Sequence, residues 1–139
     1  YGTVKDNIDS GQFRAIQKAG IHALNYDEIT RLTAERYSRR FDLLVEALNR
    51  VGLKAEKPQA TFYCYVKSPT GAKGGVTFAN AEEASQYLIN EALVSTVPWD
   101  DAGAYLRFSM TFDAATESDE RAVIDALEKR LAALELTTE

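Results

Sequence analysis

One cysteine, one histidine and three prolines are all that 139 residues contain of these types. The lone Cys64 excludes an internal disulfide and any zinc site built from several thiolates, and it agrees with a reducing, cytoplasmic setting. With His22 as the single histidine, no histidine metal cluster can be assembled, and no metal site is expected. Basic side chains are in the minority. Sixteen lysines and arginines against 21 carboxylates leave a formal charge of -5, without the basic patch that nucleic acid requires. No apolar run approaches the ~20 residues of a membrane helix, and no stretch reads as a secretory signal. Neither nucleic acid nor membrane is therefore an expected partner.

What is present is ordinary for a globular chain: 45% hydrophobic and 27% charged residues, in a length suited to one domain's core. The start, Tyr1-Gly-Thr-Val4, reads as though cut from a longer protein. Residues 1–11 are polar, with Asn7, Asp9, Ser10 and Gly11 as a cap-and-turn cluster. Phe13, Ile16, Gly20, Ile21 and Leu24 then recur at helical spacing, predicting a helix over 12–24. Asn25 with Glu28 reads as the cap of a long helix, 27–51, ended by Gly52. Its apolar stripe is Ile29, Leu32, Tyr37, Phe41, Leu44, Val45, Leu48 and Val51. Its arginines, 31, 36, 39, 40 and 50, interleave with Glu35, Asp42 and Glu46 and read as a solvated face with intrahelical pairs.

Ala60 to Val66 alternates as a strand, with Ala60, Phe62, Cys64 and Val66 on one side and Tyr63 and Tyr65 on the other. Ser68 to Gly75 reads as a flexible surface loop; its glycines and Lys73 lack the spacing and context of a phosphate-binding loop. Asn80 and Glu83 cap a helix to about Asn90, with Ala84, Tyr87 and Leu88 inward. Thr116 with Asp119 opens a last amphipathic helix, 117–136, carrying Val123, Ile124, Leu127, Leu131 and Leu134.

The stretch between these two helices organises the chain. Ala92 to Val97 reads as a short apolar strand, Pro98 and Gly103 turn a loop, and a second strand follows. In that strand Leu106, Phe108, Met110 and Phe112 share one face, while Tyr105, Arg107, Ser109 and Thr111 share the other. Arg107 sits mid-strand, backed by core and aimed away from it. The commonest role for such an arginine is a solvated side chain. The element order predicts an α+β fold in two layers, with a three-stranded antiparallel or mixed sheet and helices packed on one face.

Ser95-Thr-Val-Pro-Trp-Asp-Asp-Ala-Gly-Ala-Tyr-Leu-Arg-Phe-Ser109 resembles the C-terminal end of the class I/II aminotransferases, the pyridoxal-phosphate enzymes of the aspartate aminotransferase fold. Its wording looks most like the branch acting on LL-diaminopimelate. Asn7-Ile-Asp-Ser-Gly-Gln-Phe13 is similar to the family segment following the cofactor lysine, and Ala60-Thr-Phe-Tyr63 to a family packing strand. The resemblance implies that residues 1–26 close the large domain and that 27–139 form the small domain, with 27–51 as the long connecting helix. It implies that Arg107 binds the substrate α-carboxylate, which a planar guanidinium can grip through two parallel hydrogen bonds. Ser10 aligns with a position that reaches the partner subunit's substrate. Trp99 and Asp100 are candidates for shaping the pocket.

None of the seven lysines, at 5, 18, 54, 57, 67, 73 and 129, has the Ser-Lys-rich neighbours of the family's cofactor lysine. The expectation is a C-terminal portion, inactive alone, of a homodimeric enzyme. The intact enzyme would use pyridoxal 5'-phosphate to pass an amino group between LL-diaminopimelate and 2-oxoglutarate in lysine biosynthesis. The alternative is a non-catalytic amino-acid-binding or regulatory α+β module.

Overall fold

The computed structural model describes residues 1–8 and 11–138. By packing, the chain divides into two units, Tyr1–Arg36 and Tyr37–Glu139. The division falls inside the long helix.

The first unit is helical. The polar start forms a helix, α1 (Gly2–Ile8), where turns were expected. The Asn7 amide donates to Thr3 O at 2.7 Å, so this turn-prone side chain satisfies a carbonyl of its own helix. The turn expected at Asp9 and Ser10 lies outside the described residues. A second helix, α2 (Arg14–Leu24), ends at Asn25, whose backbone N–H closes its last turn. Asn25 thus terminates α2, and the long helix α3 (Glu28–Arg50) opens at Glu28, which pairs with Arg31. Arg31 also pairs with Glu35, as the interleaved charges predict.

In the second unit α3 buries Phe41, Leu44, Ala47 and Leu48, spaced three and four apart, and ends where Gly52 turns back with φ 86°. The strand β1 (Tyr63–Lys67) starts three residues later than its alternation suggests, because Thr61 adopts φ 76° and breaks the extended run. Ser68 to Gly75, read as a flexible loop, instead enters a small hairpin, β2 (Gly71–Ala72) with β3 (Val76–Thr77). A side chain at Gly71 would meet Val76 O at 2.5 Å, so only glycine fits this crossing. Thr137 pairs with Gly71 and ties the chain's end to the hairpin.

Helix α4 (Ala81–Ala92) continues two residues past the expected Asn90. Asn80 accepts from Glu83 N–H, as the cap pattern predicts, while the Glu83 carboxylate reaches one residue further back and accepts from Ala79 N–H. Ala92 therefore ends a helix rather than starting a strand, and Leu93 closes it in the left-handed region, 75% exposed. The short strand β4 (Val97–Trp99) contains Pro98, which was expected in the loop. β4 is a sheet edge, where a residue without N–H is tolerated. β5 (Tyr105–Ser109) is the central strand, antiparallel to β1 and β4. The last helix, α5 (Glu117–Ala132), carries the Thr116–Asp119 capping box; Val123 lies on its exposed side rather than inward.

The architecture is the expected two-layer α+β fold, a three-stranded sheet ordered β1-β5-β4 with helices on one face. Cys64 and Val66 oppose Phe108 and Leu106 in register, and this face packs on Leu44, Leu48, Leu88, Ile124 and Leu131. Each such side chain contributes roughly 1.5–3 kcal/mol on burial. Burial also pushes the Cys64 thiol up to about 11, making it an inert packing residue.

Two arginines depart from the solvated-face expectation. Arg40 is 5% exposed and donates from Nε to Glu120 Oε1 at 2.8 Å. Its Nη1 donates to Met110 O at 2.8 Å and Phe112 O at 2.9 Å, where β5 ends. Arg39 Nε donates to the other Glu120 oxygen at 2.8 Å. The Arg39 hydrogen bond, with the Arg40 bond beside it, outweighs burial and holds the Glu120 carboxyl below the usual carboxylate range.

Arg40→Met leaves the carbonyls of Met110, Phe112 and Ala114 and a buried carboxylate short of partners, so urea unfolding at pH 7 should show a loss of about 3 kcal/mol. A loss under ~1 kcal/mol would mean that Arg39 alone suffices. Because the folded-state pKa of Glu120 is lowered, its contribution is complete above the ordinary glutamate range and disappears as pH falls through the folded value. Glu120→Gln should therefore be less stable at neutral pH and show a flatter stability profile in that acid window. At the exposed, left-handed Leu93, glycine removes steric strain at little loss of burial; a gain of roughly 0.5–1 kcal/mol in the same assay is expected.

Candidate functional site

The sheet's second face carries the candidate residues, and its Tyr65, Val97, Trp99 and Tyr105 side chains are exposed. Alternation places Tyr63 and Tyr65 from β1, Tyr105, Arg107 and Ser109 from β5, and Val97 and Trp99 from β4 on this side. Arg107 stands directly opposite Tyr65 on one neighbour and Val97 on the other. It occupies the middle of the middle strand.

Its guanidinium carbon lies 4.2 Å from the Tyr63 ring centroid and 5.4 Å from that of Trp99. The side chain is half-buried, and its Nε is sealed from solvent without a hydrogen-bond partner. Among the described residues no carboxylate pairs with Arg107, whereas Arg31, Arg39, Arg40 and Arg50 all have one. A cation with donors to spare, lying over aromatic rings, suits a planar anion from outside the chain.

The other candidates fall in different places. Trp99, 39% exposed, forms one side of the Arg107 surroundings and meets Tyr65 edge-on at 6.0 Å between centroids. Asp100 is occupied elsewhere: its Oδ1 accepts from Ala81 N–H at 2.7 Å and its Oδ2 from Glu82 N–H at 3.2 Å. With Asn80 taking Glu83 N–H, the first turn of α4 is capped from two sides, and the β4–β5 loop is bound to it. Ser10 lies outside the described residues. Lys73 is exposed and donates to Ala133 O, an anchor for the hairpin. Tyr63 was read in the sequence as part of a packing strand only. Its alternation onto the polar face was the available signal for a role beside Arg107.

The model of the family "Aminotransferase class I and II" matches residues 10–127. The LL-diaminopimelate aminotransferase of Methanocaldococcus jannaschii is 50% identical over 147 residues, covering 100% of this chain and 35% of that protein. That of Methanococcus maripaludis is 46% identical over 144 residues, again 100% of this chain and 35% of the relative. The chain thus spans about a third of the length of these curated relatives. Among solved structures, apo-BacF from Bacillus subtilis superposes with a TM-score of 0.77 at 26% identity, over 96% of this chain and 34% of that one. The aspartate aminotransferase of Rhizobium meliloti shares the fold, with a TM-score of 0.76 at 24% identity over 97% of this chain and 34% of that one. The α+β layout is that of the small C-terminal domain of such enzymes. By the family match over residues 10–127 and by relatives aligned along its entire length, this chain belongs to the class I and II aminotransferases.

Proposed function

We propose that this chain is the substrate-gripping, C-terminal part of a pyridoxal-phosphate aminotransferase that exchanges an amino group between LL-diaminopimelate and 2-oxoglutarate. The observation that carries the reading is Arg107, a mid-sheet guanidinium held against two aromatic rings, with no carboxylate paired to it among the described residues. The names of the curated relatives support the choice of substrate.

Arg107 binds the α-carboxylate of either substrate through parallel N–H donors and so orients the reacting carbon. Trp99 forms a wall beside that carboxylate, while Asp100, the next residue, ties the end of β4 that carries Trp99 to α4. Pyridoxal 5'-phosphate, when bound, supplies the electron sink of amino transfer. The described residues fit the substrate side of that chemistry: Arg107 suits a carboxylate, and no lysine here has the neighbours of the cofactor's anchor. The homodimer, the reach of Ser10 to a partner's substrate and a cytoplasmic location belong to the same reading. Movement of this domain over bound substrate would exclude water from the site.

Arg107→Lys in the intact enzyme keeps the charge and loses the fork. Steady-state kinetics should show kcat/KM lower by about 2–4 kcal/mol in transition-state terms. A variant within about twofold of wild type would remove Arg107 from the substrate grip.

A further inference from the structure

Arg107 poses a physical problem that its role does not solve by itself. An arginine side chain loses up to ~2 kcal/mol of rotamer entropy when it is held still, and nothing in the described chain holds this one by a hydrogen bond. Register shows what does. Tyr63 pairs with Ser109, two residues beyond Arg107 along β5, and Trp99 pairs with Tyr105, two residues before it. The two rings therefore approach from opposite neighbouring strands and from opposite ends, along the diagonals that aromatic side chains can span.

Each ring is braced in turn. Tyr63 packs against Phe62 at 4.5 Å between centroids, and Phe62 against Tyr37 at 6.1 Å. Trp99 meets Tyr65 edge-on, and Tyr65 is the residue directly opposite Arg107. A guanidinium flanked by rings at both diagonals meets one whichever end of the strand it swings toward, and its buried Nε has no hydrogen-bond partner among the described residues.

We infer that Tyr63 and Trp99 are positioning residues. Their faces clamp the Arg107 guanidinium in one orientation before substrate arrives and leave the Nη edge as the carboxylate-binding donors. The inference rests on the Arg107 reading above and goes beyond it, because it assigns the grip's geometry and affinity to two uncharged rings. Pre-setting the cation lowers the ordering cost of binding and leaves the chemical step to other groups. Both substrates carry a carboxylate next to the reacting carbon, so both depend on the clamp to the same degree.

Two measurements test it. In the 139-residue chain, the Arg107 Nε–H should give a ring-shifted, slowly exchanging NMR signal. Tyr63→Leu or Trp99→Leu should return that signal to the ordinary arginine position, while Tyr63→Phe, which keeps the ring, should preserve it. In the intact enzyme each leucine variant should raise KM for the amino donor and for the oxo acid by a common factor, about tenfold, with kcat within about threefold. Tyr63→Phe should restore both KM values, which separates loss of the ring from loss of fold. If Tyr63→Leu and Trp99→Leu leave KM unchanged while Arg107→Met abolishes turnover, the clamp is wrong and the carboxylate grip stands. If Arg107→Met is itself within about twofold of wild type, the grip fails and the clamp fails with it.

Discussion

The buried charge cluster of Arg39, Arg40 and Glu120 is the constraint on which the second unit depends. Glu120 is 3% exposed and accepts from both arginines, so a carboxylate from α5 is fastened to two successive residues of α3. Taking such ions out of water costs several kcal/mol each, and the cost is offset only where every donor and acceptor finds a partner. Here Arg40 also donates to Met110 O and Phe112 O, the carbonyls that follow β5. One guanidinium thereby fixes the distance between two helices and the exit of the central strand.

That exit matters because β5 carries both faces of the site. Leu106 and Phe108 are pinned into the core on one side, and strand geometry then obliges Arg107 to emerge on the other. A strand displaced by one residue would exchange the two sets, placing a charge in the core and two large apolar side chains on the open face. The stability of the apolar layer and the aim of Arg107 are the same fact seen from two sides. The aromatic floor adds what alternation cannot, a fixed orientation for the guanidinium once it has emerged.

The edge strand β4 and its loop depend on a second set of ties. Asp100 binds the first N–H groups of α4, and Ser85 in α4 donates to Thr96 O at 3.0 Å just before β4 begins. Trp99 is thus held from both directions by a helix on the other side of the sheet. An acidic residue beside the site in sequence acts on the helix terminus, because two unpaired N–H groups are a stronger attraction than solvent.

Local pattern determined most of the elements and both faces of β5. The alternation of Leu106, Arg107 and Phe108, the caps at Asn80 and Thr116 and the turn at Gly52 each depend on residues within a few positions of one another. The wording around Arg107 likewise carried the family. What remained illegible depended on partners far along the chain. Arg40 looks like any helix-surface arginine until Glu120, 80 residues away, is folded against it. The hairpin at Gly71 is anchored by Thr137, and the engagement of Asp100 depends on α4, which the chain completes before it reaches that aspartate. Alternation puts Tyr63 on the polar face and the resemblance singles out Trp99, but both meet Arg107 only as diagonals of an assembled sheet. Sequence by itself determined that an arginine stands out from the middle of a strand. Only the tertiary structure decided what holds it there, because ring faces and buried acceptors act over a few ångströms of space.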